Sequence, residues 1–417
     1  MEAARKRKAT PRARFSRRNA NRRWCIPPAL LHEPEELLEA SQVFDELPGQ
    51  VGLVMWQSLR DVTLWASVPV ERREGLFTDS AAARRLAELL TSGAEPALEV
   101  SLTTLAALVG APASANPDIV SLVCLQVSQW AEARGAMATA MAYSQAAALT
   151  SPEDPAAALA AGMLALRWKR SARAETWLRR CIGLARRKGA WLPYAQAYVE
   201  LGLLYARRGE GGPAYRYYVQ ALRAARRHGM MELRGIALHG LLRLTMRRGD
   251  LDEAERIGRA ALRAFGRTHP RVGELLFDMS ELWVRKEQYG RAIPVLQRLV
   301  PTRIDPVERA QTLAFLAHAA AGTGDLHLYQ ESWLDAWTVI TRRPTTLDRH
   351  MRAVLELARA AMLLRDWPHV EQASRLSSEH GNPHRDPEVA AEMAALSDAV
   401  PPRVRGRGSA SERPRAE

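Results

Sequence analysis

The stretch "YVELGLLYARRGEGGPAYRYYVQALRAARRHG", Tyr198–Gly229, decides how the rest of the chain is read. It holds two amphipathic segments around a glycine-rich turn. Tyr198, Leu201, Gly202 and Tyr205 lie on one stripe before the turn, and Ala214, Tyr218 and Ala221 on another after it. Spacings of three and four residues put each set on one side of a helix. A glycine or alanine sits where two helices must approach closely, and large side chains fill the hollow beside it. A single pair of such helices cannot bury both stripes, so the pattern demands neighbours of its own kind.

Those neighbours are present. Leu238, Leu241, Leu242 and Thr245 precede "RRGDLDEA" and then Ala254, Gly258 and Ala261. Leu276, Met279, Ser280 and Trp283 precede "KEQYGRA", followed by Leu296 and Leu299. Upstream, Ala158, Ala161, Gly162 and Ala165 precede Ala174, Leu178 and Cys181. Weaker copies start near Ser121, Ala310 and Met351, making about seven units at intervals of 34 to 41 residues. Internal similarity at such a period marks a helical repeat array.

The pattern resembles the tetratricopeptide repeat family, whose signature is W-x2-L-G-x2-Y followed by a small residue, an aromatic and another alanine. Tyr198–Ala221 matches nearly every position, with Tyr198 in place of the tryptophan. The interval, near 40, departs from the minimal family unit and implies longer helices. The resemblance implies an all-α, right-handed superhelical solenoid of about seven antiparallel helix pairs. It also implies that a ligand lies against the first helix of each pair. Carried onto this sequence, that face is Ala156, Leu159, Met163, Leu166 and Arg167, then Gln196, Val199, Leu203, Ala206 and Arg207. The next two repeats supply Ile236, His239, Arg243, Met246 and Arg247, then Glu274, Phe277, Glu281, Val284 and Arg285.

The partner-binding candidates are therefore Arg167, Gln196, Arg207, His239, Arg243, Arg247 and Arg285. Arginine closes the face in four successive repeats, and a column of guanidinium groups suits a carboxylate or phosphate. The same arginines stand at helix C-termini, where cations offset the helix dipole. Both readings stand at this point. The asparagine-and-lysine clamp by which some family members grip a peptide C-terminus has no counterpart on these faces.

Outside the repeats, residues 1–23 are basic and nearly without apolar side chains, the composition of a disordered tail. Residues 24–115 read as an acidic helical region, with helices at Pro34–Glu46, Gly52–Trp65, Asp79–Leu90 and Pro96–Val109. Degenerate repeats, an N-terminal cap and a separate helical domain all fit it. The array covers 116–386, Pro387–Val400 reads as a capping helix, and 401–417 as a second basic tail. Ser101–Val123 has the bare outline of a helix-turn-helix, but its second segment lacks base-reading arginine, asparagine or glutamine.

Charge is unevenly spread behind the net +13. Residues 25–154 carry −11 and residues 155–268 carry +15. A basic groove taking an acidic or extended peptide follows, and the acidic N-terminal part, 25–154, is itself an intramolecular candidate for it. Nucleic acid is the other partner that basic tails and a basic block would suit. Five lysines against 54 arginines is a skew that a GC-rich coding sequence also produces.

The three cysteines, Cys25, Cys124 and Cys181, lack metal or redox spacing and read as reduced thiols. His380 and His384 flank a turn without further ligands nearby, so no metal is expected. No phosphate loop, nucleophile elbow or zinc-protease motif occurs, and no cofactor or catalysis is expected. "SRRNANRRW" runs into "CIPPALLHEPEE", too short and too acidic for a signal core. With no long apolar run, a cytoplasmic interaction protein or a peptide-sensing or transcriptional regulator is the expectation.

Overall fold

The computed structural model describes residues 39–342, 344–381 and 387–401. The basic segments 1–23 and 402–417, Trp24, Cys25, His384 and the start of the helix expected from Pro34 fall outside these. The described residues are helical, with nineteen α-helices and no strand among them. They divide at Leu184 into two compact units.

The N-terminal unit opens with α1 (Glu39–Glu46), α2 (Gln50–Ser67), α3 (Asp79–Thr91) and α4 (Pro96–Gly110). Two hairpins follow, α5 (Pro117–Ala133) with α6 (Met137–Thr150), and α7 (Pro155–Arg167) with α8 (Ser171–Lys188). Their starts are written in the sequence. Asn116 accepts a hydrogen bond from the Asp118 amide and Asp154 accepts from those of Ala156 and Ala157, each ahead of a proline at the first helical position. Such caps satisfy amides that have no partner inside the helix.

The first four helices share one core with the first hairpin. Val43, Met55, Trp65, Leu98 and Tyr143 lie in it together, all buried. Tyr143 donates its hydroxyl proton to the Met55 carbonyl at 2.6 Å. The Glu46 carboxylate accepts from the amides of Ala138 and Thr139, both at 2.8 Å, and so caps α6 from ninety residues away. Of the arrangements left open for this region, the structure has a helical cluster packed onto the first hairpin.

The second unit contains α9 (Trp191–Arg207) with α10 (Gly211–Arg227), and α11 (Met231–Arg247) with α12 (Leu251–Phe265). It continues with α13 (Val272–Arg285) and α14 (Tyr289–Leu299), α15 (Pro306–Thr323) and α16 (Leu326–Thr341), α17 (Met351–Leu363) and α18 (Trp367–His380), and α19 (Pro387–Asp398). α19 covers the end of the last hairpin, with Val389 and Met393 in its core.

Each of the seven hairpin turns contains one residue in the left-handed conformation. In four it is glycine, as at Gly209 (φ 78°) and Gly249 (φ 80°); in three it is Lys169, Glu287 or Arg365. A left-handed residue ends a helix while satisfying its last carbonyls, and only glycine adopts it without steric cost. This recurring turn sets the repeat interval more faithfully than the aromatic signature, which fades after the third hairpin. Inside the hairpins the small–large alternation packs as the spacing required. A Cβ at Gly162 would lie 2.8 Å from the Leu178 side chain, and one at Gly202 2.7 Å from the Tyr218 ring. Trp177, Trp283 and Trp333 are buried filler, while Trp168, Trp191 and Trp337 are partly buried. Burial pushes the thiols of Cys124 and Cys181 up to about 12, which leaves them protonated and unreactive at neutral pH.

One charged network ties α12 to the α13–α14 turn. Glu255, 8% exposed, accepts from Lys286 at 2.6 Å and from Arg259 at 2.5 Å, with Arg291 at 3.0 Å. The Lys286 ammonium, against the cost of desolvation and with help from both arginines, holds this carboxyl down at about 2. The folded value is below the unfolded one near 4.5, so the network stabilises fully above pH 4.5 and is lost as pH falls toward 2. With Arg259 and Arg291 reaching solvent, the stake is on the order of 2 kcal/mol. Glu255→Gln is expected to flatten the acid limb of the stability curve between pH 5 and 2. Urea unfolding across that range measures it, and an unchanged limb would assign the acid sensitivity elsewhere.

Candidate functional site

A concave cavity of about 400 Å³ opens in the second unit. Its walls are the first helices of consecutive hairpins. α11 contributes His239, Arg243, Met246 and Arg247; α13 contributes Glu274, Phe277, Asp278, Glu281 and Arg285. α15 adds Glu308, Gln311, Thr312 and Phe315, α17 adds Arg352, Leu355, Glu356 and Arg359, and α19 closes the row with Glu388, Val389 and Glu392. In every helix these positions follow the same three-and-four spacing, which places them on one face. Phe277 and Phe315 meet edge to face at a centroid distance of 5.5 Å and supply apolar wall.

The lining holds six arginines and seven carboxylates, so it is not the uniformly basic trough that segment charges led us to expect. The arginine excess of residues 155–268 is spread over helix ends and outer faces as well, while acids from 269 onward enter the cavity. Pairing across successive helices consumes much of the remainder. His239 Nε2 lies 2.8 Å from Asp278 Oδ2, and Arg243 Nε lies 3.7 Å from the same oxygen. His318 Nδ1 lies 2.9 Å from Glu356. Arg359 pairs with Glu356 on its own helix and donates through Nε to Glu392 of α19 at 2.7 Å. Arg285 holds Glu281 one turn back.

Glu281 lies among these pairs. Burial pushes its carboxyl up from the ordinary range; Arg285 opposes this, while Asp278 and Glu356 add to it. Two arginines stand apart from the pairing. Arg243 is 57% exposed with only the long contact to Asp278. Arg247 is exposed on the same helix, and no carboxylate of the described residues reaches it. Both line the cavity from one turn of α11, which puts two guanidinium groups side by side.

Among the residues singled out in the sequence, His239, Arg243, Arg247 and Arg285 are brought together here. Arg247 and Arg285 also occupy the last turns of α11 and α13, so lining the cavity and ending a helix are one position. Arg167 belongs to the N-terminal unit, where it makes a bidentate pair with Glu132 at 2.6 and 2.9 Å. Gln196 is half-buried on α9 and Arg207 is exposed at its end; neither lines the cavity. The sequence reading missed Asp278, Arg303, Phe315, Arg352, Glu356, Arg359 and Glu392. The weaker repeats from Ala310 and Met351 carry the same face spacing, and extending it would have found all of these but Asp278, Arg303 and Glu392.

Of the tyrosines on α10, Tyr218 is buried. Tyr217 is partly buried against Tyr198 and Tyr205, and Tyr215 is exposed beneath the Arg248 guanidinium at 4.8 Å. Among the described residues no three His, Cys, Asp or Glu side chains come together as a metal site. None of the described helices is long and apolar enough to cross a membrane.

No protein-family model matches the chain, and no curated protein does. Solved structures are similar to it in fold. The apo form of RapI aligns at 10% identity with a TM-score of 0.50, over 87% of this chain and 99% of that one. A Rap protein complexed with competence and sporulation factor aligns at 12% identity and 0.45, over 83% and 99%. PilF of Pseudomonas aeruginosa aligns at 14% identity and 0.45, over 55% and 96%. At such identities the likeness speaks of fold alone. In fold, the chain is a tetratricopeptide-like, all-α helical-repeat protein.

Proposed function

We propose that the second unit binds an extended peptide segment of a partner protein and that the chain serves as a non-catalytic adaptor. The observation that supports this is the wall of the cavity: five successive helices of equivalent position each offer one face to the same hollow. An extended chain passing them meets a fresh set of side chains at every helix. Because lining charges are nearly balanced and largely paired, bulk positive potential is not the means of recognition. An acidic peptide residue is read locally, at Arg243 and Arg247, where guanidinium capacity is unspent. Phe277 and Phe315 take an apolar neighbour, and Glu388 tolerates a basic one farther along.

The experiment is calorimetric titration of peptides selected on an array by the intact chain. Arg243→Ala with Arg247→Ala is expected to weaken an acidic peptide by thirtyfold or more, the scale of a hot spot of about 2 kcal/mol. Replacing the peptide's acidic residue should weaken wild type equally and the double variant hardly at all. Equal affinities for wild type and variant would remove the cavity mouth from the reading.

A further inference from the structure

α10 is unlike its neighbours. Residues 211–227 contain four arginines, Arg216, Arg223, Arg226 and Arg227, and no aspartate or glutamate. All four are exposed. None has an ion pair or hydrogen bond to any described residue, whereas the exposed Arg256, Arg285 and Arg375 are each held by an acid three or four positions away. The core side of the helix is formed by Ala214, Tyr218, Ala221, Leu222 and Ala225, so Arg216, Arg223 and Arg227 occupy the opposite side, with Arg226 at its flank. Arg216, Gln220, Arg223 and Arg227 follow one stripe, with the arginines roughly 10 and 6 Å apart along the axis at 1.5 Å per residue. Arg263 and Arg267, at and beyond the end of α12, are likewise exposed and unpaired among the described residues.

We infer that this outer face of α10 binds the phosphodiester backbone of nucleic acid, separately from the peptide cavity. Unpaired arginines set along one helix face neutralise a polyanion without first breaking internal pairs. The face lacks what a protein partner would need. Protein interfaces centre on a desolvated apolar patch, yet the large apolar side chains exposed between 211 and 271 are only Tyr215 and Met231. Tyr215 is already covered by Arg248. Apart from Gln220 the stripe offers only arginine, and the contact inferred is with phosphates, which position the chain without reading sequence.

Fluorescence anisotropy of a short labelled DNA duplex, titrated with the full chain over a range of salt, tests this. Wild type is expected to bind with a steep salt dependence. Arg216→Gln, Arg223→Gln, Arg226→Gln and Arg227→Gln together should weaken binding tenfold or more at low salt. They should also reduce the slope of log affinity against log salt by roughly 3 to 4, at about 0.9 per phosphate contact. The four corresponding lysine substitutions should restore most of both, and unchanged circular dichroism melting would establish that the glutamine variant is folded. Arg243→Ala with Arg247→Ala should leave duplex binding unchanged, which separates this inference from the peptide reading. A glutamine variant with the wild-type slope, wild type that does not bind, or displacement of the duplex by polyglutamate at matched charge would each overturn it.

Discussion

Tyr218→Ala is expected to cost the second unit about 3–5 kcal/mol, the scale for deleting a buried aromatic ring. The ring is 5% exposed and lies between two glycines on different helices. A Cβ at Gly202 on α9 would stand 2.7 Å from it and one at Gly240 on α11 2.4 Å. One aromatic side chain thus joins its own hairpin to the next, and in a stacked array each interface term contributes to the cooperativity of the whole. Tyr218→Phe should lose far less, because the packing volume is kept. Gly240→Ala, which crowds the same ring, should cost about 1–3 kcal/mol through overpacking. Urea unfolding followed by tryptophan fluorescence and by circular dichroism measures all three. A loss below 1 kcal/mol for the alanine variant would show that the neighbouring helices close over the space.

Arg85→Ala is expected to destabilise the N-terminal unit by about 3–5 kcal/mol, the usual result of stripping one partner from a buried ion pair. Asp61 is 2% exposed, and Arg85 Nε donates to its Oδ2 at 2.7 Å. Its remaining donor is the adjacent Arg60, half-exposed, with Nη2 at 2.9 Å from Oδ1. With Arg85 gone, a carboxylate enclosed among α2, α3 and their neighbours would keep only that peripheral partner. Arg85→Met with Asp61→Leu should regain most of the loss, since removing both charges also removes the desolvation cost. Thermal unfolding of the single and double variants tells these outcomes apart; a single variant as stable as wild type would mean that water reaches Asp61.

Much of the scaffold was legible because the forces that set it are local. The left-handed turn residue, the glycine or alanine at the tight contact and the large residue three or four positions away all lie within one hairpin. Reading Gly202 with Tyr218, or Gly162 with Leu178, therefore identified the two helices of a hairpin that meet there. The caps at Asn116 and Asp154 are local in the same way. Part of the cavity lining was also named in advance: His239, Arg243, Arg247 and Arg285 lie on the face that the family resemblance implies, and all four line the cavity.

What the sequence could not decide was which charges remain unspent. The residue 39 positions after His239 is Asp278, and only the stacking of α13 against α11 brings the two to 2.8 Å. Glu392 meets Arg359 because α19 folds over the last hairpin, and Glu46 caps α6 because α1 returns to the first one. Such pairings join residues about one repeat or more apart, and their energy changes steeply over a few ångströms. Periodicity fixes which way a side chain points along its own helix; only the packing of neighbouring helices fixes what it meets. The summed charge of 155–268 therefore suggested a basic trough, whereas tertiary pairing left a balanced cavity in which Arg243 keeps one long contact and Arg247 none among the described residues, and four bare arginines on the exposed surface of α10.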